Sequence, residues 1–392
     1  MTARASEWAR DRGAGILLPL GTLVLAFLVG GLAVAATGHD PLGAYRAIFN
    51  GTGLNYVFPW ISSDDRAVAA INLQQTLIVT CPLILTALAV AFAFRGGMFN
   101  IGGQGQYLMG TYASLWVGLH FPHMGKPLHI GLAVVAAIAA GAAWAGIAGA
   151  LKAAVGAHEV ISTIMLNWIA IFGGQWLFEL GGPLQGSAPD VPRSNNIWPS
   201  AELPGIWGTL QPLHAGIFLA LAALVVYWFV IHRTTLGYEV RAVGRNPDAA
   251  AYGGINVSRN YVLALAIAGG FAGLAGACDL LGWEYGVATN DIIASQVGFI
   301  GIAVALLGRN SAIGIGLAAL LFGGLQVGTS TRQLDPTVFP PELASNLATI
   351  IQGLIILFVG AQFIFVFIIQ RRRRAATAPG SAPEGAATGV TL

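Results

Sequence analysis

The sequence predicts an all-α polytopic membrane protein of about ten transmembrane helices, and three observations carry that expectation. Charged residues make up 9% of the 392 positions and hydrophobic residues 56%, whereas a soluble globule of this length carries roughly a quarter charged residues. Glycine reaches 53 residues; helices in lipid tolerate it and use it where they approach closely. Apolar runs near the ~20 residues needed to cross a bilayer recur along most of the chain.

Residues 14–36 form the first run, behind Arg4, Arg10 and Arg12. It is too long for the apolar region of a signal peptide, so a retained helix is expected. Asp40-Pro41 then opens a short amphipathic stretch suited to the outer interface. Further runs lie at about 71–93, 98–119, 129–151, 160–180, 214–232, 260–278, 291–308, 311–328 and 346–369. Ten spans place both termini on one side. With that side cytoplasmic, fourteen of the nineteen Lys and Arg residues fall inside and five outside, the asymmetry of a multi-pass cell-membrane protein.

The segments 71–180 and 260–369 each hold four runs and begin on opposite faces, which is the arithmetic of two inverted-topology repeats. One transmembrane domain over 1–370 is therefore expected. The Pro-, Gly-, Ser- and Trp-rich segment 181–213 reads as an ordered extracytoplasmic loop. Trp176, Trp198, Trp207 and Trp283 are placed as an interfacial belt near the same side. Acids also gather outside, and Glu202, Glu284 and Glu342 are suited to steer a basic partner surface. The low-complexity tail 371–392, opened by Arg371 to Arg374, reads as a disordered cytoplasmic tail with a lipid-facing anchor. Cys81 and Cys278 fall in apolar runs without metal-ligand spacing and are expected in the core.

Residues 233–259 are the one long, cation-rich polar segment between two membrane-length runs. Asn246-Pro247 sets a capping residue before a proline at the first helical position. Asp248 supplies first-turn negative charge, and Gly253-Gly254 stops the helix. A short helix is thus presented between two spans. On the residues alone it serves equally as a positively charged anchor loop.

The stretch GYEVRAVGRNPDAAAYGGINV resembles the coupling segment of ABC-transporter permeases of the sugar, nucleoside and branched-chain amino-acid importer type. FRGGMFNIGGQGQYLMG (94–110) and EVISTIMLNW (159–168) resemble the nucleoside-type members, and the likeness runs from about residue 14 to 370. The resemblance implies a type II importer-like fold and a permease subunit with no catalytic residue. It implies that Arg241, Ala242, Gly244, Asn246, Pro247, Asp248 and Ala250 dock on a separate ATPase, which would hold the ATP. It also implies a second permease subunit and an extracytoplasmic substrate-binding protein. No cofactor, metal site or nucleic-acid partner is expected, and membrane lipid surrounds the chain.

Missing motifs agree with that division of labour. Gly125-Lys126 lacks the other positions of a phosphate-binding loop, and no HExxH pair or nucleophile elbow stands out. Acids are sparse inside the apolar runs, which weighs against an ion-coupled carrier. The glycine-crowded stretch from Arg95 to Gly110 allows two structures, a broken helix lining the solute path or a tight cytoplasmic turn. Asn167 lies within an apolar run, where it either bonds a neighbouring helix or contacts solute. Glu159, at the start of the same run, is expected only to favour its helix dipole. The path-lining candidates are Phe99, Asn100, Gln104, Asn167 and Phe299. Amides and aromatic faces suit a neutral polar solute, ranked nucleoside, then sugar, then amino acid.

Overall fold

Two central helices organise the bundle. The computed structural model describes residues 21–58, 62–209, 212–330, 346, 349–355 and 357. In chain order the helices are α1 (Gly21–Ala36), α2 (Pro41–Gly51), α3 (Ser63–Arg95), α4 (Gly103–His120), α5 (Lys126–Val155) and α6 (Glu159–Phe178). A two-stranded antiparallel hairpin, β1 (Gly205–Trp207) and β2 (Leu213–His214), precedes α7 (Gly216–Arg233), α8 (Thr235–Arg245) and α9 (Pro247–Tyr252). Then come α10 (Val257–Asp279), a π-helical turn at Leu280–Glu284, α11 (Thr289–Ala294), α12 (Val297–Leu307) and α13 (Ala312–Gly328).

Helices α3 and α10 are the hubs and pack on each other. The apolar window of α3 is 83% buried, against 22% for α5 and for α6. Helices α4 and α5 pack on α10, while α12 and α13 pack on α3. The contact of α5 with α10 is backbone on backbone. A Cβ on Gly141 would stand 2.3 Å from Gly269 O, and one on Gly273 would stand 2.2 Å from Ala137 O. Gly324 and Gly328 likewise face Thr52 and Ile48. Both small-residue pairs are thus packing faces, as close approach in lipid demands. The outer helices carry exposed apolar stripes, such as Ile161, Met165, Trp168, Phe172 and Trp176 on α6; hydrocarbon matches such a surface.

Helix starts follow local chemistry. Asp40 caps α2, accepting from Leu42 N at 3.0 Å and Gly43 N at 2.9 Å, with Pro41 at the first helical position. This turns α2 by 120° from α1. Ser62 caps α3, accepting from Asp65 N at 3.2 Å.

Among the described residues six helices are long and apolar enough to cross a membrane, or seven if the bent α1–α2 pair counts as one. The run at 71–93 lies in a 33-residue helix. The run at 98–119 becomes helical only at Gly103, that at 291–308 is interrupted at Ser295-Gln296, and α13 has 17 residues. Only residues 346, 349–355 and 357 of the last run are described. Arg4, Arg10, Arg12, Arg332, Glu342 and 371–392 lie outside the described residues.

At one end of the bundle, residues 181–209 form a hydrogen-bonded cap. Ser194 N donates to Val287 O at 2.9 Å, Ile197 N to Tyr285 O at 2.7 Å and Leu203 N to Leu281 O at 2.7 Å. Trp198 N donates to Gly118 O at 3.0 Å. His214 is buried at the base of the cap and accepts from Gly216 N through Nδ1 at 3.2 Å. Burial pushes its imidazole down to about 4, so it is neutral near pH 7. Cys81 and Cys278 are buried free thiols against Gly216 O. Helices α8 and α9 occupy the opposite end.

Candidate functional site

The link between α3 and α4 resolves the two structures allowed for Arg95–Gly110, because elements of both are present. Arg95 ends α3 and Gly97 turns the chain with φ of +72°. Residues 98–102 then run without helical structure into the bundle before α4 begins. A Cβ on Gly102 would stand 2.9 Å from Thr163 Cβ, four residues into α6. The link therefore penetrates about one helical turn, roughly 6 Å.

Non-helical backbone there needs internal partners, and the amides supply them. Asn100 Oδ1 accepts from Gly102 N at 3.0 Å and from Gln106 Nε2 at 2.9 Å, while Asn100 Nδ2 donates to Gln106 Oε1 at 2.9 Å. Asn167 Oδ1 accepts from Gly105 N at 2.8 Å, and its Nδ2 donates to Ile101 O at 2.9 Å. A backbone donor and a backbone acceptor together define which way that amide points. Gln104 Oε1 accepts from Gly298 N at 2.9 Å, tying the start of α4 to the start of α12. Gln104 Nε2 has no partner among the described residues. Phe99 stacks on Phe94 with ring centroids 5.0 Å apart. Asn100 and Gln104 are fully buried; Asn167 and Phe299 alone of the five candidates reach a cavity described below.

Two cavities flank the interruption at Ser295-Gln296. One of about 380 Å³ is lined by Asn167, Trp168, Gln296 and Phe299. The other, about 680 Å³, is lined by Tyr107, Asp279, Trp283, Glu284, Gln296 and Gln326 among others. Asp279 is 3% exposed and forms its back wall. Tyr107 Oη donates to Asp279 Oδ2 at 2.7 Å and Trp283 Nε1 to Asp279 Oδ1 at 3.3 Å. Trp283 and Glu284 thus line this cavity. The sequence signal was an acid four residues before a tryptophan at the end of an apolar run. Its partner Tyr107 lies 172 residues away and could not be paired with it by spacing.

Residues 233–259 form two helices rather than one. Thr234 caps α8 by accepting from Gly237 N at 3.1 Å, and the apolar face Gly237, Val240 and Val243 is buried. Asn246 Oδ1 then accepts from Ala249 N at 3.0 Å with Pro247 at the first position of α9, and Gly254 follows with φ of +84°. Arg245, Asn246, Pro247 and Asp248 are exposed, Arg241 and Ala242 are half-buried, and Tyr252 is 98% exposed. Ala250 is buried, and Gly244 is pressed onto the α3–α4 turn. Those two serve the contact of α8 and α9 with their own bundle.

Glu159 does more than favour its helix dipole. It closes an ion pair with Lys152 at 2.6 Å across the α5–α6 turn, and Lys152 also lies 5.2 Å from the Tyr261 ring centroid. Among the described residues no group of three or more His, Cys, Asp or Glu is placed to hold a metal ion.

Residues 72–360 match the family described as branched-chain amino acid transport system / permease component. The guanosine ABC transporter permease protein NupP of Bacillus subtilis is 37% identical over 364 residues, covering 92% of this chain and 97% of that protein. The nucleoside ABC transporter permease protein NupB of Lactococcus lactis is 35% identical over 368 residues, covering 91% and 94%. The glucose ABC transporter permease protein TsgB13 of Haloferax volcanii is 34% identical over 350 residues, covering 87% and 86%. No solved structure matches the chain. With a helical, multi-pass architecture and a family match over most of its length, this chain is a permease subunit of an ABC importer and belongs to the branched-chain amino acid transport system / permease component family.

Proposed function

We propose that this permease forms part of the path by which a nucleoside crosses the cell membrane. The observation that carries the solute class is the pair of cavities at Ser295-Gln296, walled by aromatic rings and side-chain amides, with charged groups in the larger one. Aromatic faces stack on bases and amides both donate and accept hydrogen bonds. Two of the relatives above are named for guanosine or nucleosides. The glucose-named relative supports a neutral sugar as the second reading.

The finer architecture belongs to the same proposal: ten spans in one transmembrane domain over 1–370, in two inverted repeats like those of type II importers. Its support is the exchanged packing, in which α4 and α5 embrace α10 while α12 and α13 embrace α3. Both termini are cytoplasmic, with 181–213 outside. Helices α8 and α9 dock on an ATPase subunit that holds the ATP, and no cofactor resides here. A second permease subunit and an extracytoplasmic binding protein complete the assembly.

Vesicles carrying the complete transporter, supplied in parallel with labelled nucleosides, glucose and branched-chain amino acids, test the solute class. Strong ATP-dependent uptake of nucleosides is expected. Uptake of the amino acids alone would overturn the ranking. Orientation is tested by cysteine labelling in a background without Cys81 and Cys278. Ser187→Cys, exposed on the cap, should react with an impermeant thiol reagent from outside, and Ala249→Cys on α9 should not. The reverse pattern sinks the topology.

A further inference from the structure

We infer that the 680 Å³ cavity is a base-recognition site for 6-oxopurine nucleosides, with Glu284 and Arg193 reading adjoining edges of the base and Trp283 offering a stacking face. This deepens the nucleoside proposal above and rests on it.

Glu284 and Arg193 bring opposite charges to this cavity without forming a direct ion pair, and the carboxyls of Asp279 and Asp291 line it as well. Glu284 comes from the π-helical turn after α10 and Arg193 from the cap, and both line the cavity. Among the described residues the one ion pair within 4.0 Å is Lys152–Glu159, so these two side chains stand apart. Arg193 is oriented by one hydrogen bond, Nη2 to Asn196 Oδ1 at 3.0 Å. A guanidinium has five N–H donors in a planar fork, which leaves donors for a ligand. The Glu284 carboxylate accepts no hydrogen bond from the described residues. The side chain is half-buried in the cavity wall, so a ligand that brings N–H groups can bond it in place of water.

Asp279 has a different part. Its two oxygens already accept from Tyr107 and Trp283. It positions the indole, whose side chain is 49% exposed and therefore has a free face. The cavity lining thus includes an acceptor, a donor fork and an aromatic plane.

A 6-oxopurine matches all three. Its N1–H, with the 2-amino group in guanine, is a donor edge for a carboxylate. Its O6 and N7 are the acceptor pair that arginine binds bidentately in nucleic acids. Adenine carries an amino group where guanine carries O6, which turns a donor toward the guanidinium. Pyrimidines have no N7. Sugar hydroxyls can also bond a carboxyl and a guanidinium, but the sugar is common to every nucleoside and does not move the ratio between them. A zwitterionic amino acid could also bridge the two charges, but it has no base to lay on Trp283, and it is made an outcome of the test.

The experiment uses the complete transporter in vesicles, with its own binding protein unchanged throughout. Guanosine, inosine, adenosine, uridine and leucine uptake are measured for the wild type, Glu284→Gln, Glu284→Asp and Arg193→Gln. The readout is the ratio between solutes, which a general folding or assembly defect does not move. A hydrogen bond to a charged group implies that Glu284→Gln lowers the guanosine-to-uridine ratio about tenfold or more. Inosine should lose less than guanosine, since it lacks the 2-amino group. Glu284→Asp should recover part of the ratio. Arg193→Gln should narrow the preference for guanosine over adenosine by a similar factor. Equal losses for every nucleoside, or unchanged ratios, would overturn the inference while leaving nucleoside transport in place. Wild-type uptake of leucine without any nucleoside would instead overturn the transport reading itself, with Glu284 and Arg193 holding a zwitterion.

Discussion

Replacing Gly244 with alanine is expected to abolish solute uptake and leave ATP hydrolysis running without response to solute. Gly244 is where α8 meets the hub of the bundle. A Cβ there would stand 2.3 Å from Arg95 O, 2.7 Å from Gly97 N and 2.8 Å from Gly96 C. All three are backbone atoms of the turn that ends α3, so no side chain can swing aside. The same turn is tied elsewhere: Arg95 Nη2 donates to Asn310 O at 2.9 Å, which also accepts from Tyr227 Oη at 2.8 Å. Displacing α8 therefore separates the proposed docking segment from the point where α3, α7 and the α12–α13 turn converge. Overpacking of this kind costs about 1–3 kcal/mol, enough to shift α8 without unfolding a bundle held by many other contacts. Tyr252→Ala is the contrasting variant. That side chain is 98% exposed, so its loss should weaken association with the ATPase and leave the melting temperature of the permease unchanged. Normal uptake by Gly244→Ala at normal expression would mean that α8 and α9 are only a membrane-surface anchor.

Gly244 also marks the boundary of what is legible in the residues alone. Punctuation was legible: Asn246-Pro247 and Gly253-Gly254 bound α9 because capping is a local matter of backbone groups and the residue beside them. The packing of Gly269 and Gly273 was legible because a small-residue spacing on an apolar helix has few other uses. Helix α8 carries no such signal. Its cap is Thr234, at the edge of the preceding apolar run, and its three buried positions are spread through a segment rich in charge. That Gly244 faces inward is a fact of tertiary contact, and glycine gives no polarity from which to infer a face. The amides show the same limit in another form. Polar residues such as Asn100, Gln104 and Asn167 in apolar surroundings must be bonded to something. Sequence does not say whether that something is solute or the backbone of a link 62 to 66 residues away. Asp279 was legible as an acid near a span end, but not as the anchor of Tyr107 and Trp283.

Asn167 is where those two possibilities can be separated by measurement, because it is bonded to the link and also lines the smaller cavity. Asn167→Ala removes the acceptor for Gly105 N and the donor to Ile101 O together. Both backbone groups are then left in a site too crowded for a ready substitute: a Cβ on Gly105 would already lie 2.9 Å from Asn167 Cα. Each stranded group costs about 1–3 kcal/mol, so the variant should lose roughly 2–6 kcal/mol, with a clear fall in melting temperature in detergent. Phe299→Ala is the control on the other side of the cavity. Phe299 is 41% exposed and, as an apolar ring, bonds no backbone group, so its truncation should change uptake with little effect on stability. If Asn167→Ala instead keeps its melting temperature and loses only uptake, the link does not depend on this amide and the solute does. A stability loss confined to Asn167→Ala, with the uptake defect in proportion to the protein that remains folded, would assign the amide to the architecture of the α3–α4 link. Recognition would then fall to the aromatic and charged groups around Trp283.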